Sequence, residues 1–204
     1  MIFISHRVNT IKKLRRTPKF YGVEVDLRDY KKKIILSHDP FQSGDSFYEF
    51  LKIYDHKFLI LNVKSEGIED NILKIIKKFN IKNYFFLDCS FPALVNLLKK
   101  GNKNVAIRVS DYESFKTLTK IKYLAKWVWV DCFKSIPLNE KKYKLLKKYK
   151  YKICLVSPEL HGRRVSNRKF FKLVKDKKIK IDMLCTKSNF FENWKKIFKY
   201  NLSV

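Results

Sequence analysis

Glycine and proline are scarce in this sequence, five of each among 204 residues, so a collagen-like or low-complexity chain is excluded. Acidic residues are scarce too: 19 Asp and Glu face 46 Lys and Arg, a net charge of +27, and only eight of the bases are Arg. The four cysteines, Cys89, Cys132, Cys154 and Cys185, have no CxxC spacing, and each lies in a short apolar run. Buried, reduced thiols are therefore expected rather than a metal knot or disulfides. Long apolar runs are missing. Asp, Lys or Arg interrupts each run well short of the roughly 18 residues that a membrane span requires. His6-Arg7 ends the opening Met1-Ile2-Phe3-Ile4 before a signal-peptide core could form, so a cytoplasmic protein is expected. What the chain has is 46% hydrophobic and 15% aromatic residues, enough for a core and against disorder. Its length suits one compact domain over residues 1–204.

Periodicity organises that material. Short runs of strand type occur at Ile2–His6, Tyr21–Leu27, Phe58–Ser65, Tyr84–Ser90, Asn104–Ser110, Trp127–Phe133, Tyr151–Ser157 and Lys180–Thr186. Helical spacing fills the intervals, as in Ile68, Leu73, Ile76 and Phe79 on one face with Glu69, Lys74, Lys77 and Lys78 on another. Similar segments span 91–100, 112–125, 139–149, 167–174 and 189–200, and a short one is squeezed between Asn9 and Arg16. Ser90 before Phe91-Pro92 and Ser110 before Asp111 suit helix caps. Eight strands alternating with helices predict an α/β fold, a compact (β/α)8 TIM barrel. An open doubly wound sheet is the alternative, but its nucleotide-binding forms lose support because neither GxGxxG nor GxxxxGK[ST] occurs. One element breaks the rhythm: Lys33–Asp39 reads as an extended excursion after strand two.

In such a barrel the chemistry gathers at the C-terminal ends of the strands. The chain places His6-Arg7, Glu24-Val25-Asp26, His38-Asp39, Asn62-Val63-Lys64, Asp88, Arg108, Trp129 and Asp131 at these ends. Residues two apart on a strand share a face, so Glu24 projects with Asp26, and Asn62 with Lys64. Paired carboxylates suit a hard divalent cation, Mg²⁺ or Ca²⁺, although they would also serve as partners for nearby Lys and Arg. Two histidines, His6 and His38, beside Arg7 and Lys64, suit acid and base work on an anion, for which a phosphodiester is the natural substrate.

Ile4-Ser5-His6-Arg7, Glu24-Val25-Asp26-Leu27-Arg28, Leu36-Ser37-His38-Asp39-Pro40 and Leu61-Asn62-Val63-Lys64 together resemble the glycerophosphodiester phosphodiesterase family. That family belongs to the phosphatidylinositol-phospholipase-C-like barrels. The motif-bearing resemblance covers about the first third of the chain. It implies a metal-dependent phosphodiesterase of lipid metabolism, with His6 and His38 as catalytic residues. Glu24, Asp26 and Asn62 would hold the cation, and Arg7 and Lys64 would contact phosphate. Val8 stands where the family usually has Gly, and Asn62 where it has a third carboxylate, a loss that Asp88 on the next strand could make good.

Beyond strand seven, Ser157-Pro158-Glu159-Leu160-His161-Gly162-Arg163 is read either as a substrate-recognition loop or as a capped helix entry with solvated charges. Glu159, His161 and Arg163 are its candidate substrate-binding residues. Arg108 suits phosphate, and Trp129 suits either a polyol face or packing of the interior. His56 precedes strand three, at the opposite end, and has no assigned role. The expected partner is a small phosphodiester substrate, with peripheral contact to an anionic membrane or polyanion allowed by the charge. Nucleic acid is disfavoured by the few Arg, by the absence of a recognised motif, and by Lys pairs spread over many helices. A barrel that has lost catalysis and binds an anionic polymer, membrane surface or nucleic acid is the alternative function. Oligomeric state is not encoded in any of these signals.

Overall fold

The computed structural model describes residues 1–163 and 165–200. Its strands alternate with helices as the periodicity predicts, and the chain divides into two compact units, residues 4–106 and residues 1–3 with 107–204.

In the unit of residues 4–106, β1 (Ile2–Ser5) pairs in parallel with β2 (Gly22–Tyr30), Ile4 opposite Gly22. β2 also pairs in parallel with β5 (Phe58–Val63), from Gly22 opposite Phe58 to Leu27 opposite Val63. β5 pairs in turn with β6 (Tyr84–Leu87). A Cβ at Gly22 would lie 2.3 Å from Ile4 Cδ1 and 3.0 Å from Phe58 O, so only glycine lets the three strands start this closely. All six residues of β5 and Gly22 to Leu27 of β2 are buried, as expected of parallel strands covered on both faces.

The excursion is real. β2 runs on past the parallel layer, turns at Lys31-Lys32 and returns as β3 (Lys33–Leu36), which pairs with the short β4 (Asp45–Ser46). Both turn lysines have positive φ, 47° and 63°, positions where such hairpins usually place Asn-Gly. Helix α1 (Ile11–Arg16) is capped by Thr10, α2 (Phe47–Lys52) by Ser46, and α4 (Phe91–Lys99) by Ser90 with Pro92 in its first turn. Between the last two, α3 (Glu69–Lys78) buries Ile72 and Ile76. Glu69, expected on its polar face, is instead buried at the helix start, close enough to the Cys89 thiol to help burial push it up to about 12.

In the other unit, β8 (Trp127–Val130), β9 (Lys152–Val156) and β10 (Met183–Thr186) pair in parallel. β7 (Ala106–Val109) precedes them, with Val109 O accepting from Asp131 N at 2.9 Å. Helices α6 (Glu140–Lys148), α7 (Asn167–Asp176) and α8 (Phe191–Tyr200) fall where expected. Helix α5 is shorter than the predicted 112–125, spanning only Lys116–Lys120. Ser110 Oγ accepts from the backbone N–H groups of Tyr112 and Glu113 in a local turn, and Asp111 accepts from Lys134 N and Ser135 N, so this stretch is committed before a helix can start. All four cysteines are free thiols, and three of them are buried. Among the described residues, no helix is long and apolar enough to cross a membrane.

Candidate active site

The site grows from the end of β1. Arg7 sits at φ 52°, a left-handed conformation costly for a side chain of its size, which turns the chain sharply after the strand. That turn aims two successive N–H groups at one residue: Arg7 N donates to Glu24 Oε2 at 2.6 Å and Val8 N to Glu24 O at 2.8 Å. Val8, where the family usually has glycine, is wholly buried. Lys13 reaches back from α1 to donate to the carbonyls of His6 and Arg7, at 2.9 and 2.6 Å, which fixes the strand end further.

Glu24 and Asp26 lie on the same face of β2, and both are fully buried. Burial and the neighbouring Asp26 charge raise the Glu24 carboxyl, against the opposing effects of the Asn62 hydrogen bond, the Arg7 amide and Lys64. Asn62 Nδ2 donates to Glu24 Oε1 at 2.8 Å, and His6 Nε2 stands 3.9 Å from Glu24 Oε2. Asn9 holds Asp26 from both directions, donating from Nδ2 to Oδ2 at 2.7 Å and accepting the Asp26 N–H at 2.9 Å. Arg7 Nε is 3.7 Å from Asp26 Oδ2; Lys64 Nζ is 3.7 Å from Asp26 Oδ1 and 3.0 Å from Asp88 Oδ2.

His38 comes in from the excursion. Its Nε2 lies 2.6 Å from Arg7 Nη2, and its Nδ1 lies 2.8 Å from Asp39 Oδ1. An arginine can only donate, so Nε2 is the acceptor and the ring proton sits on Nδ1, facing Asp39. Arg28 clamps the backbone here, donating to His38 O from Nε and Nη2 and to Lys64 O from Nη1. The structure thus brings together His6, Arg7, Glu24, Asp26, His38, Asn62, Lys64 and Asp88. Asn9, Arg28 and Asp39 are the members that sequence reasoning did not name as site residues.

Two carboxylates and an amide are the oxygen donors available to a cation. Among the described residues, no group of three or more His, Cys, Asp or Glu side chains is gathered as a metal cage. Yet Asp26 Oδ1 and Asn62 Oδ1 are both buried with no hydrogen-bond partner. Buried acceptors are normally satisfied, so two unsatisfied oxygens beside a crowded carboxylate pair fit a hard divalent ion. A cavity of about 630 Å³ in the same unit, lined by Lys32, Lys33, Tyr48, Glu49, Asn71 and Lys74, contains none of these residues.

The remaining predicted residues lie in the other unit, around Asp131, itself 1% exposed. Arg108 Nη1 donates to Asp131 Oδ2 at 2.5 Å and Trp129 Nε1 to the same oxygen at 3.1 Å. His161 Nε2 lies 2.9 Å from Asp131 Oδ1. The Trp129 ring is buried, as in the packing alternative. Glu159 accepts from the hydroxyls of Ser157 and Thr186, and Arg163 donates to Cys132 O at 3.0 Å. Asp131 joins Arg108, Trp129 and His161, and its position two residues after Trp129 was the available signal.

No family model matches the chain, and no curated protein matches it by sequence. Solved structures do. A glycerophosphoryl diester phosphodiesterase from Parabacteroides distasonis ATCC 8503 matches with a TM-score of 0.59 at 11% identity, over 90% of this chain and 81% of that one. A glycerophosphodiester phosphodiesterase from Agrobacterium tumefaciens str. C58 matches with a TM-score of 0.61 at 9% identity, over 94% of this chain and 97% of that one. This chain shares its fold with these two enzymes. At these identities the likeness is one of fold, and it agrees with the α/β barrel class expected from the sequence.

Proposed function

We propose that this protein is a phosphodiesterase that cleaves a glycerophosphodiester-like or phosphosugar diester by histidine acid and base catalysis. The observation that carries the reading is the His38 arrangement: Nδ1 faces Asp39, and an unprotonated Nε2 is presented beside Arg7 at the edge of a buried carboxylate pair. His38 is equipped to take a proton from the attacking hydroxyl, whether of water or of the substrate itself. As the new O–P bond forms, the bond from phosphorus to the leaving oxygen breaks, and His6 supplies the proton that oxygen needs. Glu24 Oε2, 3.9 Å from His6 Nε2, favours a charged His6 electrostatically without a hydrogen bond to it. Arg7 and Lys64 neutralise the phosphate, and Asp88 and Asp26 orient the Lys64 ammonium.

Glu24, Asp26 and Asn62 would hold a divalent cation, Mg²⁺ or Ca²⁺, which when bound would offset the charge that builds on the phosphoryl oxygens. Asn62 donates to Glu24 through Nδ2, which leaves Oδ1, without a hydrogen bond, as the oxygen it would offer. Turnover of a panel of glycerophosphodiesters and phosphosugar diesters, with each divalent ion and with chelator, tests the reading. Cleavage that needs metal and is lost in His38→Ala supports it. The opposing reading, a barrel that only binds anions, is favoured by Lys64 and Asn62 partly satisfying the carboxylates on their own, and predicts binding with no turnover.

A further inference from the structure

Phe41 is 97% exposed and has φ 61°, a backbone conformation that bulky side chains rarely adopt. Exposure alone is ordinary for a single apolar residue; exposure imposed by a strained backbone on a fixed base is not. The base is fixed on both sides. At its start, Arg28 holds His38 O and Ser37 Oγ donates to Asp39 O. At its end, Asp45 pairs with Leu36, and a Cβ on Gly44 would meet Leu36 O at 2.2 Å, so the chain is pressed flat against β3. The intervening loop lifts Phe41 into solvent three residues after His38.

The surroundings say what meets it. Asp45 Oδ2 accepts from Ile11 N at 2.6 Å, which ties the loop to the first residue of α1. That helix reads Ile11-Lys12-Lys13-Leu14-Arg15-Arg16, with no acidic residue and with Lys12, Arg15 and Arg16 exposed. Pro40, Gln42 and Ser43 flank the phenylalanine in the chain, so the loop itself carries no run of large apolar residues of the kind a protein partner favours. One exposed aromatic on a loop tied to a cationic helix instead matches an anionic lipid surface, where a lone ring enters the interface and bases meet headgroup phosphates.

We propose that the loop 39–44 with α1 docks this protein on an anionic bilayer, so that the diester it cleaves is a lipid presented at that surface. The inference rests on the phosphodiesterase reading for its substrate and on Phe41 for its docking. Co-sedimentation with vesicles of phosphatidylglycerol and phosphatidylcholine, without substrate, reads docking alone. Wild type is expected to sediment, Phe41→Ala to bind about tenfold more weakly, and Phe41→Trp to bind like wild type with a blue-shifted emission on vesicles. Replacing Lys12 and Arg15 by Gln should weaken binding to the anionic vesicles by about tenfold or more and leave binding to pure phosphatidylcholine unchanged. Turnover of a soluble glycerophosphodiester should be the same in Phe41→Ala as in wild type. Sedimentation unchanged in Phe41→Ala, or wild type that binds nucleic acid and ignores vesicles, would overturn the docking. Phe41-dependent sedimentation without turnover of any diester would overturn the enzyme reading and leave the docking standing.

Discussion

Among the described residues, the buried carboxylates at Asp131 and at Glu24 with Asp26 are built to opposite ends. Asp131 is the more fully engaged: Oδ2 accepts from Arg108 and Trp129, and Oδ1 lies 2.9 Å from His161 Nε2 as an ion pair, although that nitrogen makes no hydrogen bond. Glu24 and Asp26 share one strand face, repel one another, and leave Asp26 Oδ1 and the adjoining Asn62 Oδ1 without a hydrogen bond. A carboxylate whose oxygens are all engaged has little left to offer a ligand and acts on its neighbours. A crowded pair with spare oxygens costs the fold something, and the proposed cation would complete it. In a protein of net charge +27, the informative charges are therefore these few acids and not the many lysines.

The comparison can be broken where the effects are largest. His38→Ala and His6→Ala should each lower kcat by about a thousandfold, the scale of lost acid or base catalysis, with the fold intact by circular dichroism. At Asp131 the large effect is on stability instead. Asp131→Ala removes the acceptor of Arg108 Nη1 and of the buried Trp129 N–H, leaves Glu113 beside Arg108, and should cost about 1–3 kcal/mol in denaturant unfolding. A change below about 1 kcal/mol would mean that Asp131 does not anchor that cluster.

At the open centre the sign reverses. Glu24→Gln keeps an oxygen for Arg7 N, and its new amide can donate to Asn62 Oδ1 once the Asn62 amide turns. The variant should gain about 1–2 kcal/mol near pH 8 while turnover is lost. The pH dependence follows from the same group. Its carboxyl is pushed up from 4.5 to about 7, so the native protein keeps a proton that the unfolded chain has released. The stabilisation it contributes is full below pH 4.5 and disappears as pH rises through about 7. Denaturant midpoints at pH 5 and pH 8 should show this decline in wild type, and Glu24→Gln should flatten it. The smallest expected effect belongs to Asn62→Asp, which restores a third carboxylate. It should tighten divalent-ion binding by about tenfold in calorimetric titration and lower the stability of the metal-free protein.

Much of this was legible in the sequence because the parallel strands are short apolar runs ending in charged residues, a pattern that survives without knowledge of the fold. His6, Glu24, Asp26, His38 and Lys64 all announced themselves as strand-end residues. Helix α2 did not, since six residues give too short a window for helical period, and it starts straight after a two-residue strand. The length of α5 was misread because apolar spacing continued through a stretch that Ser110 and Asp111 hold in turns. Asn9 and Arg28 act through hydrogen bonds to residues 10 to 36 positions away, and no local pattern encodes such partners. The strained backbone of Phe41 likewise belongs to the folded hairpin alone.

The central claim is that the Glu24 and Asp26 pair, and not Asp131, carries metal-dependent chemistry. Its most direct test is turnover of a glycerophosphodiester panel by wild type and His38→Ala, each with Mg²⁺, with Ca²⁺ and with chelator. Cleavage by wild type that disappears with chelator and in His38→Ala is the predicted result. Undiminished cleavage by His38→Ala, or no cleavage of any diester with either ion, would contradict it.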